Sequence, residues 1–119
     1  MTTDLHALRA RVLQDIETYD IPSPHPDALG SPLPRAWFEQ GLAEMRAALV
    51  EPYLAEVHDF DEKRGGPFRR NVPIVADDQD MLLAYDPGPD DDFALVGREN
   101  GQLKIYDIRG DAVGCFLSR

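Results

Sequence analysis

The sequence predicts an α+β fold: two N-terminal helices packed on one face of a C-terminal antiparallel β-meander of about five strands. Three observations lead there. Apolar residues recur at helical spacing through the first 50 positions, short β-rich runs replace that spacing after Gly65-Gly66, and Asn100-Gly101 stands between two such runs. A type I′ hairpin turn needs positive φ at both central residues, which Asn-Gly supplies. Helices first and strands afterwards is the order of an α+β fold, not of an alternating α/β one. With 119 residues the chain has the size of one domain, 1–119.

The first helix is predicted over about 3–18. Leu5, Leu8, Val12, Ile16 and Tyr19 fall on one helical face. Thr3 suits the cap, and Asp4 suits the positive N-terminal end. Five of the ten prolines then lie in a strap over 20–34. Alternating Pro22, Pro24 and Pro26 favour extended, polyproline-like backbone. Such a strap either packs over the core or contacts a partner. The second helix is predicted over about 34–50, with Phe38, Leu42, Met45 and Leu49 as its stripe and Trp37, Gly41 and Ala48 widening it. Arg35 and Glu39 are placed to pair at i, i+4. Pro52 ends this helix or opens a short continuation through Val57.

A charged loop over 59–71 centres on Gly65-Gly66-Pro67, and the sheet is expected over about 72–117. Its strands are read at 72–76, 81–85, 93–98, 103–108 and 112–117. Pro73 lacks an N–H, which suggests an edge for the first of them. The Asn-Gly turn sets Val96 opposite Ile105 and Leu95 opposite Tyr106. Trp37, Phe38, Leu42 and Met45 are expected to bury against Val96 and Ile105. Cys115 is read as a small buried hydrophobe in mid-strand. Residues 93–109, with a small-residue strand, the Asn-Gly turn and Tyr106-Asp107, resemble one blade of a tryptophan-aspartate repeat propeller. No second copy occurs and a propeller needs several blades, so the resemblance implies a hairpin alone.

Composition restricts function. Twenty-two acidic residues against 12 basic ones give a net charge of −10. That opposes nucleic-acid binding, which needs clustered Lys and Arg, and attraction to an anionic membrane. No apolar run approaches the ~20 residues of a membrane helix. The N-terminus lacks the basic start and apolar stretch of a signal peptide, and Cys115 is the only cysteine. A reducing, cytoplasmic location is the expectation. The lysines are only Lys63 and Lys104, and Ala, Pro and Asp are frequent, as in GC-rich bacterial genomes.

Two aspartate groups stand out, Asp77, Asp78 and Asp80, then Asp86 with Asp90, Asp91 and Asp92. Neither has the alternating spacing and closing Glu of a calcium loop. Both lie between predicted strands, where Asp forms turns. They are read either as solvated turns or as an acidic edge, mainly Asp77, Asp78, Asp80, Asp90, Asp91 and Asp92, that meets a basic partner. Pro26-Asp27 with Asp61-Glu62-Lys63 superficially matches the elements of a metal-dependent nuclease, but a proline loop and a post-helix segment are poor places for carboxylates to converge on one cation. His6, His25 and His58 are isolated. His58-Asp59 has the form of a base with an orienting carboxylate, yet no nucleophile pattern accompanies it. Arg109-Gly110-Asp111 is read as a tight turn. The expectation is therefore no catalytic residue, no metal and no cofactor. The function expected is a non-catalytic acidic binding protein, most concretely a bacterial inhibitor or immunity protein that neutralises a basic toxin. The alternative is a small enzyme or ligand-binding domain with a pocket between helices and sheet, holding His58 or Arg98.

Overall fold

The structure, a computed structural model, describes residues 4–22, 33–59, 68–88 and 90–119. Thr3, residues 23–32 of the proline-rich strap with His25 and Pro26-Asp27, and residues 60–67 with Asp61-Glu62-Lys63 and Gly65-Gly66-Pro67 lie outside the described residues. The chain runs α1 (Leu5–Thr18), α2 (Arg35–Ala48), β1 (Leu49–Asp59), β2 (Phe68–Asp77), β3 (Met81–Tyr85), β4 (Phe93–Glu99), β5 (Gln102–Gly110) and α3 (Ala112–Leu117). The fold is α+β, its sheet is antiparallel except for one pairing, and two helices precede the strands. Among the described residues no helix is long and apolar enough to cross a membrane.

The sheet is not an open meander. Its five strands close into a barrel in the order β1-β2-β3-β4-β5, and the closing step, β1 on β5, is parallel at His58 and Lys104. The ladder shows why closure needs strong tilt. From Lys104 it crosses to Gly97, then Met81, then the Asp77 end of β2, and so back to the Leu49 start of β1. Lys104 nevertheless sits beside His58, at the far end of β1. This stagger is the shear that lets a small sheet meet itself.

Three expectations change in consequence. Residues 49–59 form a strand, where a helix end and a short helical continuation were expected. Pro52 cannot continue a helix, and the register shift between Leu49 and Tyr53 leaves it off the ladder, where its missing N–H costs nothing. The strand read at 72–76 starts at Phe68 and is not an edge: β2 lies between β1 and β3, and Pro73 stands opposite Leu54. The last predicted strand, 112–117, is the helix α3. Asp111 caps it by accepting from the Gly114 N–H at 2.9 Å. A six-residue apolar run does not distinguish strand from helix by periodicity, so the capping aspartate was the informative residue.

The hairpin is as expected. Asn100 and Gly101 have φ of 52° and 77°, and Val96 pairs with Ile105. A register shift between Ala94 and Val96 means that Leu95 is not squarely opposite Tyr106. Asp4 caps α1, its Oδ1 accepting from the amides of His6 and Ala7 at 3.0 and 3.2 Å.

The barrel divides the apolar residues into two cores. Val57, Val72, Ile74, Leu82, Ala84, Ala94, Val96 and Ile105 fill its interior. On the outside, Val75, Leu83, Phe93 and Leu95 meet Leu8, Val12 and Ile16 of α1, Met45 and Ala48 of α2, and Val113, Cys115 and Phe116 of α3. β3 and β4 are thus covered on both faces, which explains unbroken apolar runs such as Phe93-Ala-Leu-Val. The expected packing of α2 on Val96 and Ile105 is therefore replaced by packing on the opposite face of the sheet. Met45 is fully buried, Phe38 and Leu42 are partly exposed, and Trp37 is 40% exposed.

Candidate functional site

The two aspartate groups lie at opposite ends of β3, a strand of five residues and so about 16 Å long. They do not form one patch. Asp77, Asp78 and Asp80 make the β2–β3 turn, and two of them build it. Asp77 Oδ1 accepts from the Gln79 amide at 2.8 Å, and Asp78 Oδ1 accepts from the amides of Asp80 and Met81 at 3.0 and 2.7 Å. These bonds hold Gln79 at a φ of 78°. Asp77 also takes both Nη atoms of Arg98, at 3.1 and 2.6 Å. That fork holds the Asp77 carboxyl below the usual carboxylate range, aided by the Gln79 amide. Asp80 is exposed and makes no ion pair among the described residues.

The turn faces α2 across a groove. Arg119, following α3, spans it: its Nε donates to Asp78 Oδ2 at 2.5 Å and its Nη2 to Glu44 Oε2 at 2.8 Å. The Arg119 Cζ lies 3.9 Å from the centre of the Phe116 ring. Arg119 and Gln40 hold the Glu44 carboxyl below its ordinary range. For Asp78, burial pushes the carboxyl up, but the Met81 amide, Arg119 and the Asp80 amide together bring it down. One cleft of about 460 Å³ is lined by Glu44, Asp77, Asp78, Gln79, Asp80 and Arg119. A second, of about 230 Å³, shares Glu44 and Arg119 with it and continues along α2 past Gly41 and Leu117 to Trp37. Together they make one acidic groove with an exposed tryptophan at its far end.

The second group is tied to the helices. Asp91 pairs with Arg11 of α1 at 2.9 Å and accepts a short hydrogen bond from the Tyr85 hydroxyl. Arg11 also lies over the Tyr85 and Phe93 rings, at 5.4 and 5.2 Å. Asp92 stands 3.9 Å from Arg109, and Asp90 is exposed. Near them runs a buried ionic chain. Asp86 takes Arg70 at 3.0 and 2.6 Å and Arg109 at 2.5 Å, while Arg70 also reaches Asp59 at 2.8 Å. Asp59 and Asp86 are only 2% and 6% exposed. Burial pushes the Asp86 carboxyl up, but the hydrogen bonds of Arg70 and Arg109 outweigh it and hold the carboxyl below its ordinary value.

No family model, no curated protein and no solved structure matches the chain. Among the described residues no three His, Cys, Asp or Glu side chains are grouped to hold a metal ion. Apolar side chains fill the space between the helices and the sheet there. His58 lines a separate polar cleft with Glu99, Asn100 and Lys104, on the β1–β5 seam, and Arg98 is occupied by Asp77. Cys115 is buried in α3, and burial pushes its thiol up to about 11. Glu44, Trp37 and Arg119 were not singled out as site residues from sequence. Arg119 is 75 positions from Glu44 and 41 from Asp78, and no local pattern joins such residues.

Proposed function

We propose that this protein is a non-catalytic acidic binding protein that takes a basic protein partner in the groove between α2 and the β2–β3 turn. The single observation that carries the reading is the convergence of Glu44, Asp77, Asp78 and Asp80 on one groove that ends at an exposed Trp37. Carboxylates around a groove raise the encounter rate of a cationic surface, and an exposed aromatic ring supplies an anchor. A net charge of −10 acts in the same direction over the whole molecule. An inhibitor or immunity protein for a basic toxin, in a bacterial cytoplasm, is the most concrete form of this proposal.

The test is co-purification from the native host, followed by binding assays with two triple variants. One changes Asp77, Asp78 and Asp80 to Asn; the other changes Asp90, Asp91 and Asp92 to Asn. The first is expected to weaken binding of the captured partner at least about tenfold, or about 1.4 kcal/mol. The second is expected to leave it within about twofold. A partner that binds both variants as tightly as the unaltered protein would refute the groove.

A further inference from the structure

We infer that Glu44 and Asp78 form a seat for an arginine side chain of the partner, and that Arg119 occupies this seat in the free protein. The inference rests on the binding function proposed above and narrows its chemistry from any basic group to a guanidinium.

The seat already holds such a group. Glu44 from α2 and Asp78 from the turn accept from different nitrogens of one planar fork, Nη2 at 2.8 Å and Nε at 2.5 Å. Two carboxylates on two elements, meeting separate donors of one rigid plane, suit arginine better than the single ammonium of lysine. The Phe116 ring beneath, 3.9 Å from Cζ, offers the face on which a guanidinium stacks. The groove is also incompletely neutralised. Four carboxylates, Glu44, Asp77, Asp78 and Asp80, face Arg119 and Arg98, and Asp80 has no ion-paired cation among the described residues.

Beyond the seat the groove runs to Trp37. Leu117 packs directly on Gly41 along this stretch, where a Cβ would stand 2.5 Å from Leu117 Cδ2. An apolar neighbour of the incoming arginine would pack against the Trp37 ring, which is half-exposed in the free protein. The occupant is thus a segment carrying an arginine next to an apolar residue. Arg119 competes with it. A site open for only part of the time binds with its affinity reduced by that fraction, so Arg119 tunes the protein toward partners that outbid one internal guanidinium.

Trp37 is the only tryptophan, so its emission reports on the groove. The experiment titrates the full chain with hexa-arginine and with hexa-lysine at low salt, for the unaltered protein, Arg119→Gln and Glu44→Gln. Arg119→Gln should bind hexa-arginine about tenfold tighter than the unaltered protein, because the competitor is gone. Its preference for hexa-arginine over hexa-lysine should be about fivefold or more. Glu44→Gln should lose that preference, and this variant decides the matter if Arg119→Gln does not fold. Equal affinities in Arg119→Gln and the unaltered protein, or equal binding of the two peptides throughout, would overturn the inference. If the captured partner binds while these peptides show that equality, only the arginine seat fails. If neither the peptides nor any basic protein binds, the binding function fails with it.

Discussion

Asp86 lies at the centre of the buried ionic chain of the barrel. Through Arg70 and Arg109 its carboxylate links the end of β3 to β2 and β5, and Arg70 passes the link to Asp59 at the end of β1. Among the described residues one ladder pair closes β1 on β5, so this chain is a second tie around the barrel. Removing Arg70 withdraws one guanidinium from two buried carboxylates, and breaking a buried ion pair costs about 3–5 kcal/mol. Arg70→Ala should therefore lose about that much in urea denaturation. The pH dependence follows from the direction of the shift. Asp86 is held below its ordinary value, so its contribution is present above the unfolded pKa of about 4 and is lost as pH falls through the lower folded value. Acidification below about pH 4 should thus destabilise the unaltered protein more steeply than Asp86→Asn. Cys115 gives a simpler check. With the thiol raised to about 11 and buried, it should resist thiol reagents at pH 8 until the protein unfolds. In the sequence Asp59 reads as a neighbour of His58 and Asp86 as part of a turn. Nothing local reveals that an arginine on another strand joins them.

Among the elements, α1, α2 and the Asn100-Gly101 hairpin were legible because each is fixed by its own residues. Leu8, Val12 and Ile16 repeat every four positions and are all buried, and the Asn-Gly turn needs no tertiary help. β1 and α3 were not legible. Residues 49–59 carry Pro52 and alternate poorly, since Tyr53 and Leu54 are both exposed, and only closure of the barrel makes them a strand. Two-sided burial likewise hid which face of the sheet meets α2. The corrected packing shifts the energetic weight along that helix. Met45, fully buried among Leu83, Leu95 and their neighbours, should lose about 2–5 kcal/mol on change to Ala. Trp37→Ala should cost less than about 1 kcal/mol in the same denaturation, since much of the ring already faces solvent. Similar losses for the two would mean that α2 is rotated on the sheet.

At the scale of the whole molecule, the fold divides the aspartate turns between opposite ends of β3. Asp91 and Asp92 face Arg11 and Arg109, whereas Asp77, Asp78 and Asp80 open onto a groove with Glu44 and Trp37. The sequence displays all six aspartates but not this division, because the separation depends on the length and direction of β3, and Glu44 joins only through the way α2 crosses the sheet. Screening follows from the same picture: association with a basic partner should slow markedly once the Debye length falls below about 8 Å, near physiological salt. The measurement that tests the groove most directly is an amide chemical-shift map of the labelled chain as the captured partner, or hexa-arginine, is added. The shifts are expected to concentrate at Trp37 and its indole N–H, Gln40, Gly41, Glu44, residues 77–80 and Arg119, with residues 90–92 unmoved. Shifts centred on 90–92, or on the polar cleft around His58 and Lys104, would contradict the account.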